Sequence, residues 1–433
     1  MFKTKLNTTL SKISDSRKWS FYDLQYILIA AIFTIEFIII KSPSLIPRIL
    51  LASLFIASFW IPYVRRFTVP ALPIFTWLIT FYACQFIPMN YRPTHIFVNL
   101  LPTLERILYG ANLSEIISQH THPILDILTW FPYGILHFTF PFIFSGIMFV
   151  YGPPGSLPVF AKAFGYMNLA GVLTQLFFPN ASPWYEIIYG SAPADYSIPG
   201  DAGGLLRIDD ILGLDLYGTT FGNSPLVFGA FPSLHSGCAT IEMLFLSYLF
   251  PRMKPFAVAY VMWMWFSTMY LTHHYMIDLV GGSIYAILAY AVAQKFLPKI
   301  NSETRTRLQY LGTTKSGFRS YIYSIEHDPR DYYNGIPVLD GDEESAMKQV
   351  VVHESPVVIQ TIMPYRHHRP EPLRLANINE KSEDEESPAL SPASLVPSSG
   401  YWSPNSEPAS PITPHSPLNI TSHQMHFGFS KTS

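Results

Sequence analysis

The sequence predicts an all-α protein, a polytopic transmembrane helix bundle of about eight spans followed by a polar tail. Of its 433 residues, 49% are hydrophobic and only 13% are charged, which is a low charge content for a soluble domain. Up to about residue 300 the apolar residues fall in blocks of roughly 16 to 22, and a helix of that length crosses about 30 Å of hydrocarbon. Beyond residue 300 these blocks stop.

Eight apolar segments between residues 24 and 300 are predicted to cross the membrane. The first is the least typical, because Glu36 lies within it. The eight predicted spans are 24–40, 47–64, 68–87, 131–151, 157–178, 236–251, 256–273 and 277–297.

Basic residues orient the predicted spans. They cluster in residues 1–23, in the Arg65-Arg66 pair after the second span, and at Arg252 and Lys254 between the sixth and seventh. Because cytoplasmic loops of membrane proteins are enriched in Lys and Arg, both termini are predicted to be cytoplasmic. The long loops, 88–130 and 179–235, are then lumenal. They mix apolar and charged residues at near-helical spacing, which predicts short helices lying on the membrane.

Residues 301–433 are predicted to form a cytoplasmic, largely disordered tail, because they are acidic, rich in Ser and Pro, and poor in apolar residues. The two cysteines, Cys84 and Cys238, both fall in apolar segments. This excludes a disulfide framework and a cysteine zinc site. The charge pattern does not predict a nucleic-acid partner.

Two polar segments at predicted lumenal boundaries carry the candidate chemistry, PSLHSG at 232–237 and THHYMID at 272–278. His274 and Asp278 are four residues apart, so on a helix the carboxylate can accept from the imidazole Nδ1–H. The Nε2 lone pair of His274 is then free to act as a base or as a nucleophile. His235 lies on the same side and can give a proton to a departing oxygen. We therefore expect the two imidazoles to converge around a phosphate-sized gap.

Together these segments resemble the motifs of the type-2 phosphatidic acid phosphatase superfamily, which read K-x6-R-P, P-S-G-H and S-R-x5-H-x3-D. Residues 232–235 match the second motif with Leu234 in place of glycine, and residues 267–278 match the third with Thr268 in place of arginine. The first motif has no full match, since Arg92-Pro93 lacks the preceding lysine. The resemblance implies a six-helix lipid-phosphatase-like core within a catalytic domain at 24–300.

The stretches GAFPSLHSGCATIEM and LTHHYMIDLVGGS are similar to those of the fungal inositol phosphorylceramide synthases. That resemblance implies transfer of phosphoinositol from phosphatidylinositol to the primary hydroxyl of ceramide in the Golgi membrane, through a phospho-histidine intermediate. It assigns His274 as nucleophile, Asp278 as its orienting group and His235 as general acid and then base. It implies no cofactor and no metal, and it implies a small regulatory membrane subunit.

Because Thr268 replaces the superfamily arginine, the motif match does not identify the residue that binds the phosphoryl oxygens. The candidates are Arg207, Arg92, His273 and Ser233. An Asp209-Asp210 pair is the alternative signal for a Mg²⁺ enzyme, but further aspartates at set spacings are missing.

Three other functions fit the pattern less well. Two belong to the same superfamily: a lipid phosphate phosphatase, and a sphingomyelin-synthase-like transferase with another donor. The third is a lipid transporter, whose intramembrane polar residues would line a pathway. The sequence shows no inverted repeat to support it.

Overall fold

The computed structural model describes residues 21–311 and 317–326, which are helical and contain no strand longer than an isolated bridge. The predictions for residues 1–20 and for the tail beyond 326 lie outside the described residues. In chain order the α-helices are α1 Leu24–Ile39, α2 Leu45–Ala57, α3 Pro62–Ala83, α4 Leu100–Tyr109, α5 Leu113–Ser118, α6 Pro123–Trp130, α7 His137–Tyr151, α8 Ser156–Phe177, α9 Pro183–Tyr189, α10 Leu206–Leu212, α11 Tyr217–Gly222, α12 Leu234–Leu249, α13 Lys254–Tyr270, α14 Met276–Ala293, α15 Arg307–Tyr310 and α16 Phe318–Glu326.

Each of the eight predicted spans overlaps one of the longer helices, namely α1, α2, α3, α7, α8, α12, α13 and α14. This confirms the predicted helical bundle. By length and apolar composition, three described helical segments are long enough to cross a membrane, Tyr63–Phe86, Pro123–Tyr151 and Met276–Ala293.

The boundary predicted between the second and third spans is wrong. Helix α2 ends at Ala57, and the next helix begins at Pro62. Proline is favoured in the first turn of a helix because its missing N–H has no partner there. At about 1.5 Å per residue, the 13 residues of α2 extend roughly 20 Å, which is shorter than the hydrocarbon core.

The fourth predicted span begins earlier than its apolar block suggests. Helices α6 and α7 are joined through a π-helical stretch, Phe131–Leu136, into one continuous segment. Pro132 lies at the start of this stretch, and a proline cannot donate the backbone hydrogen bond that an α-helix requires. The widened turn places Tyr133 and His137 on the face that packs toward α12.

The central core lies among α7, α8, α12, α13 and α14. It is built from large buried side chains, including Phe144, Met148, Phe160, Phe245 and Met264. Without a hydrophobic driving force between helices in lipid, such close packing is what holds a bundle together.

The loops 88–130 and 179–235 form one layer at the same end of the bundle, which we call the loop layer. They contain α4 to α6 and α9 to α11, so the predicted short helices are confirmed. Backbone hydrogen bonds join the two loops, from Phe97 N to the Pro179 carbonyl at 3.0 Å and from Ala230 N to the Asn180 carbonyl at 3.2 Å. This junction delivers the chain directly to Pro232 and the first histidine motif.

Candidate active site

The two histidine motifs are joined by hydrogen bonds between α12 and α14. The Ser233 amide donates to the Asp278 carbonyl at 3.0 Å, and the Ser236 hydroxyl donates to the Leu279 carbonyl at 2.6 Å. The Ser233 hydroxyl caps α12 by accepting from the Ser236 amide. Ser233, a predicted phosphate-binding residue, is thus fully buried and engaged in capping. Gly282 packs so closely on the Ser233 carbonyl that a Cβ atom would clash with it.

His235, His274 and Asp278 form a continuous chain of polar contacts. His235 Nδ1 lies 3.2 Å from His274 Nε2, and His274 Nδ1 lies 3.0 Å from Asp278 Oδ2. The imidazoles converge as expected, but the phosphate-sized gap between them is absent. The half-buried His235 ring and the buried His274 ring pair directly, with one nitrogen as donor and the other as acceptor.

With Asp278 ionised, these contacts allow one consistent set of ring protons. If the Asp278 carboxylate accepts from His274 Nδ1–H, then His274 Nε2 carries the lone pair and His235 Nδ1–H is the donor. Burial lowers the pKa of the His274 ring below its ordinary value of 6.5, so this ring is neutral at neutral pH. A neutral imidazole with a basic Nε2 is the form that can attack phosphorus.

A proton added to His235 would place a positive charge inside a buried cluster. Among the described residues, His235 contacts imidazoles and Tyr133 and has no carboxylate partner. Such a charge is costly without a counter-ion. A bound phosphodiester anion would supply that counter-ion, so the acid role predicted for His235 requires substrate in the site.

The backbone that carries His273 and His274 is strained. Thr272 has a φ of 63°, an unusual conformation for a β-branched residue, and such strain often occurs at functional sites. Gly203 and Gly204 pack against this loop, and the Gly204 amide donates to the Leu271 carbonyl at 3.0 Å. A Cβ atom on Gly204 would lie 2.9 Å from the Leu271 Cα. The loop layer therefore holds the histidine loop by close backbone contact.

His273 lies beside the histidine pair, but one of its nitrogens is already engaged. Its Nε2 is 3.0 Å from the Ala202 carbonyl, and since a carbonyl can only accept, this nitrogen is the donor. The ring stacks on Tyr133 and packs on Phe221.

The two predicted arginines have different surroundings. Arg207 donates from Nε to Asp126 at 2.7 Å and lies over the Tyr270 ring. Its Nη2 is buried and has no hydrogen-bond partner among the described residues. Arg92 instead donates to the carbonyls of Cys84 and Ile87, each at 3.0 Å, where α3 ends. The structure does not bring Arg92 to the histidine pair.

Two residues of the site were not identified from the sequence, Tyr133 and His137. The Tyr133 ring stacks 4.3 Å from the ring of His235, and the His137 ring lies 4.4 Å from the same imidazole, between centroids. The available signal was the spacing of four between them in an otherwise apolar segment interrupted by Pro132 and Gly134.

Two glutamates of the loop layer also escaped the sequence analysis. Glu105 accepts from the Met276 amide at 3.2 Å, and Glu186 accepts from the Tyr275 hydroxyl at 3.0 Å. Burial raises the pKa of Glu105 to about 7. Both carboxylates hold the segment between His274 and Asp278 from outside the bundle.

The first residue of the Asp209-Asp210 pair has a structural role. Asp209 accepts hydrogen bonds from the amides of Leu216, Tyr217 and Gly218, and so supports the start of α11. Its carboxylate is therefore occupied by backbone donors.

Comparison with known proteins shows which family the chain is similar to. A family model described as PAP2 superfamily matches residues 101–292, which include both histidine motifs. The chain is 49% identical over 312 residues to the inositol phosphorylceramide synthase catalytic subunit of Schizosaccharomyces pombe, covering 71% of this chain and 74% of that protein. It is 42% identical over 380 residues to the inositol phosphorylceramide synthase of Candida albicans, covering 87% and 78%.

A bacterial protein is also similar. The phosphoinositol dihydroceramide synthase of Bacteroides thetaiotaomicron is 28% identical over 270 residues, covering 58% of this chain and 85% of that protein. No solved structure matches the chain.

Proposed function

We propose that this chain, which belongs to the inositol phosphorylceramide synthase family, transfers phosphoinositol from phosphatidylinositol to the primary hydroxyl of ceramide. The products are inositol phosphorylceramide and diacylglycerol. The chain is a membrane phosphotransferase by its family. The observation that carries the mechanism is the contact chain from His235 Nδ1 through His274 to Asp278.

In the first step of the proposed reaction, His274 Nε2 attacks the phosphorus of phosphatidylinositol. A P–N bond forms, and the bond from phosphorus to the diacylglycerol oxygen breaks. That oxygen takes a proton from His235 and leaves as a hydroxyl. Asp278 accepts from Nδ1–H throughout and stabilises the positive charge that develops on the His274 ring.

In the second step, the primary hydroxyl of ceramide gives its proton to His235 and attacks the phosphorus. The P–N bond breaks, and His274 returns to its neutral form. The proton lost by His235 in the first step is regained in the second, so no net acid or base is needed. The phosphoryl group must lie between the two rings, so they separate from their 3.2 Å contact when substrate binds.

Burial favours transfer over hydrolysis. His274 is 5% exposed and Asp278 is fully buried, so few water molecules can compete with an acceptor that arrives from the membrane. Excluding water in this way gives the ceramide hydroxyl the advantage of position.

Charge on the phosphoryl oxygens has to be met by donors near the histidine pair. Arg207 is the predicted residue best supported, because its buried Nη2 lies at Gly204, beside the histidine loop, without a hydrogen-bond partner among the described residues. His273 is close but donates to Ala202. Arg92 and Ser233 are engaged elsewhere, and their role in phosphate binding stays a prediction.

We also propose a Golgi membrane location, a lumenal active site and cytoplasmic termini. The basic residues near predicted spans support the orientation, and the family resemblance supports the location. A small regulatory membrane subunit is proposed as well. It is supported by the names of the relatives from S. pombe and Saccharomyces cerevisiae, which are called catalytic subunits.

The test supplies purified protein with inositol-labelled phosphatidylinositol and ceramide. We expect labelled inositol phosphorylceramide and an equal amount of diacylglycerol. Free inositol phosphate in place of the labelled sphingolipid would show hydrolysis instead of transfer, as expected of the lipid-phosphatase alternative. A labelled phosphosphingolipid that forms only when choline-labelled phosphatidylcholine is the donor would show a sphingomyelin-synthase-like enzyme. Movement of lipid without any chemical product would show a transporter.

A further inference from the structure

We propose that His137 is a phosphate-binding residue whose Nδ1–H donates a hydrogen bond to a non-bridging oxygen of the phosphoryl group being transferred. The inference rests on the proposed function and deepens it, since it names the donor that takes over part of the duty of the missing superfamily arginine. Residue 137 lies outside both histidine motifs, 232–235 and 267–278.

The position of His137 places it beside the reacting atoms. It is the first residue of α7, directly after the π-helical stretch. Its ring centroid lies 4.4 Å from that of His235, whose own Nδ1 is 3.2 Å from the nucleophilic nitrogen of His274. A phosphorus atom bound between His235 and His274 would therefore carry its non-bridging oxygens within reach of a ring that packs on His235.

Accounting for the ring nitrogens singles out His137. His235 Nδ1 pairs with His274 Nε2, and His274 Nδ1 pairs with Asp278. His273 Nε2 pairs with the Ala202 carbonyl. The Nδ1 of His137 is buried and has no hydrogen-bond partner among the described residues. In the tautomer that carries its proton on Nδ1, His137 has a buried N–H without an acceptor, which costs about 1–3 kcal/mol. An incoming anionic oxygen would remove that cost.

Thr268, which stands in place of the superfamily arginine, is not available to bind the phosphoryl group. Thr268 is fully buried, and its hydroxyl donates to the Trp265 carbonyl at 2.8 Å. A neutral imidazole N–H is a weaker donor than a guanidinium. It acts here in a site from which water is largely excluded, where a fixed donor stabilises developing charge more than it does in water.

The experiment compares His137→Asn with His137→Leu. The asparagine amide nitrogen lies near the position of the imidazole Nδ1 and keeps the donor, whereas leucine has a similar size and no donor. Both variants lose the ring that packs on His235, so a difference between them reports the hydrogen bond alone. We expect kcat/KM for phosphatidylinositol to fall by about 100-fold in the leucine variant, as for loss of one oxyanion donor. In the asparagine variant we expect a fall of less than about 10-fold.

A second readout separates binding of the phosphoryl group from packing. Orthovanadate resembles phosphorus in its five-coordinate state, so the concentration that halves activity should rise about tenfold in the leucine variant and little in the asparagine variant. The exposed His120, changed to leucine, is the matched control and should behave as the wild type.

Equal losses in the asparagine and leucine variants would overturn the inference and leave His137 as a packing residue. An unchanged leucine variant would overturn it too. If the leucine variant does not fold, His137→Gln replaces it, because glutamine offers its amide near Nε2 instead of Nδ1 and should be the poorer of the two amides. Failure of the wild type to make inositol phosphorylceramide is a separate result, which removes the proposed function and not merely the role of His137.

Discussion

The histidine site and helix α2 are opposite in how their residues are held. In the site, Asp278, Ser233 and Tyr275 are fully buried and hydrogen bonded to residues of other segments. In α2 no residue is buried, and side chains such as Leu50 are more than half exposed. Buried hydrogen bonds fix the first region, whereas the second is held by a few contacts at its surface, those of Arg48 and Phe55 with neighbouring helices. Substitutions should therefore have large, specific effects in the site and small effects in α2.

The largest expected effect in this comparison is that of Asp278→Asn. The amide cannot serve as a carboxylate acceptor, so it fails to hold the His274 tautomer and to stabilise the charged ring. We expect kcat to fall by about 10³- to 10⁴-fold. The assay is formation of inositol phosphorylceramide at saturating substrate.

Glu242→Gln is the matched control for that substitution. Glu242 is also a buried carboxylate, two turns along α12 from His235, and has no described contact with the histidine pair. Its replacement should reduce kcat by less than about fivefold, within the range of structural substitutions near an active site. Similar losses in both variants would mean that the His274–Asp278 contact has no special role.

The second effect concerns the close approach of α12 and α14. In Gly282→Ala, the new Cβ would clash with the Ser233 carbonyl, so the two motifs must move apart. Overpacking of this kind costs about 1–3 kcal/mol, and a displacement of about 1 Å can reduce the rate by about 100-fold. Formation of inositol phosphorylceramide measures the loss of rate, and the thermal midpoint in detergent measures the loss of stability.

Gly146→Ala is the control for the glycine experiment. Gly146 lies in α7 with nothing within 4 Å of its would-be Cβ, so this variant should match the wild type in both measurements. A Gly282→Ala protein with full activity would show that the two motifs tolerate separation.

The third prediction compares leucines directly. Leu279 is fully buried beside Asp278, whereas Leu50 in α2 is 59% exposed. Leu279→Ala should lower the free energy of unfolding by about 2–4 kcal/mol, because it leaves a cavity. Leu50→Ala should change it by less than about 0.5 kcal/mol. Thermal unfolding of the two variants under one detergent condition decides this, and equal shifts would contradict the contrast between the regions.

The smallest expected effect is a pH dependence of stability due to Glu105. Burial raises its pKa from 4.5 to about 7 in the folded protein. Between these two values the folded state binds more protons than the unfolded state, so stability falls as pH rises through this window and is constant above it. The fall should be about 1–3 kcal/mol in the wild type.

Glu105→Gln should remove this slope, because glutamine keeps an acceptor for the Met276 amide and does not ionise. The measurement is the thermal midpoint at pH 5 and pH 8, with the exposed Glu115→Gln as control. A Glu105→Gln protein that keeps the full slope would assign the pH dependence to another group.

The contrast also explains what the sequence could predict. Apolar block length predicted the helices of all eight segments, and the four-residue spacing of His274 and Asp278 predicted their contact, because both depend on local geometry. Tyr133 and His137 were missed, since their approach to His235 depends on the π-helical turn at Pro132 and on packing between distant segments. The end of α2 was placed wrongly because the apolar residues Phe59, Trp60 and Ile61 follow directly after the point where the helix stops.

The sequence likewise did not show which residues support the histidine site from other segments. Glu105 and Glu186 lie 171 and 89 residues from the backbone amide and hydroxyl that they accept from. A pairing over such separations leaves no periodic signal. Arg92 carried a motif dipeptide, yet its guanidinium is used at the end of α3.

The most direct test of the mechanism is to trap the covalent intermediate. Purified protein is mixed with phosphatidylinositol carrying ³²P, without ceramide, and denatured in alkali, in which a phosphoryl bond to histidine survives. The account predicts label on the peptide that contains His274, released when ceramide is added before denaturation, and absent from His274→Ala, whose turnover should fall by about 10⁴-fold or more. Unchanged labelling of His274→Ala, or turnover in that variant close to that of the wild type, would contradict it.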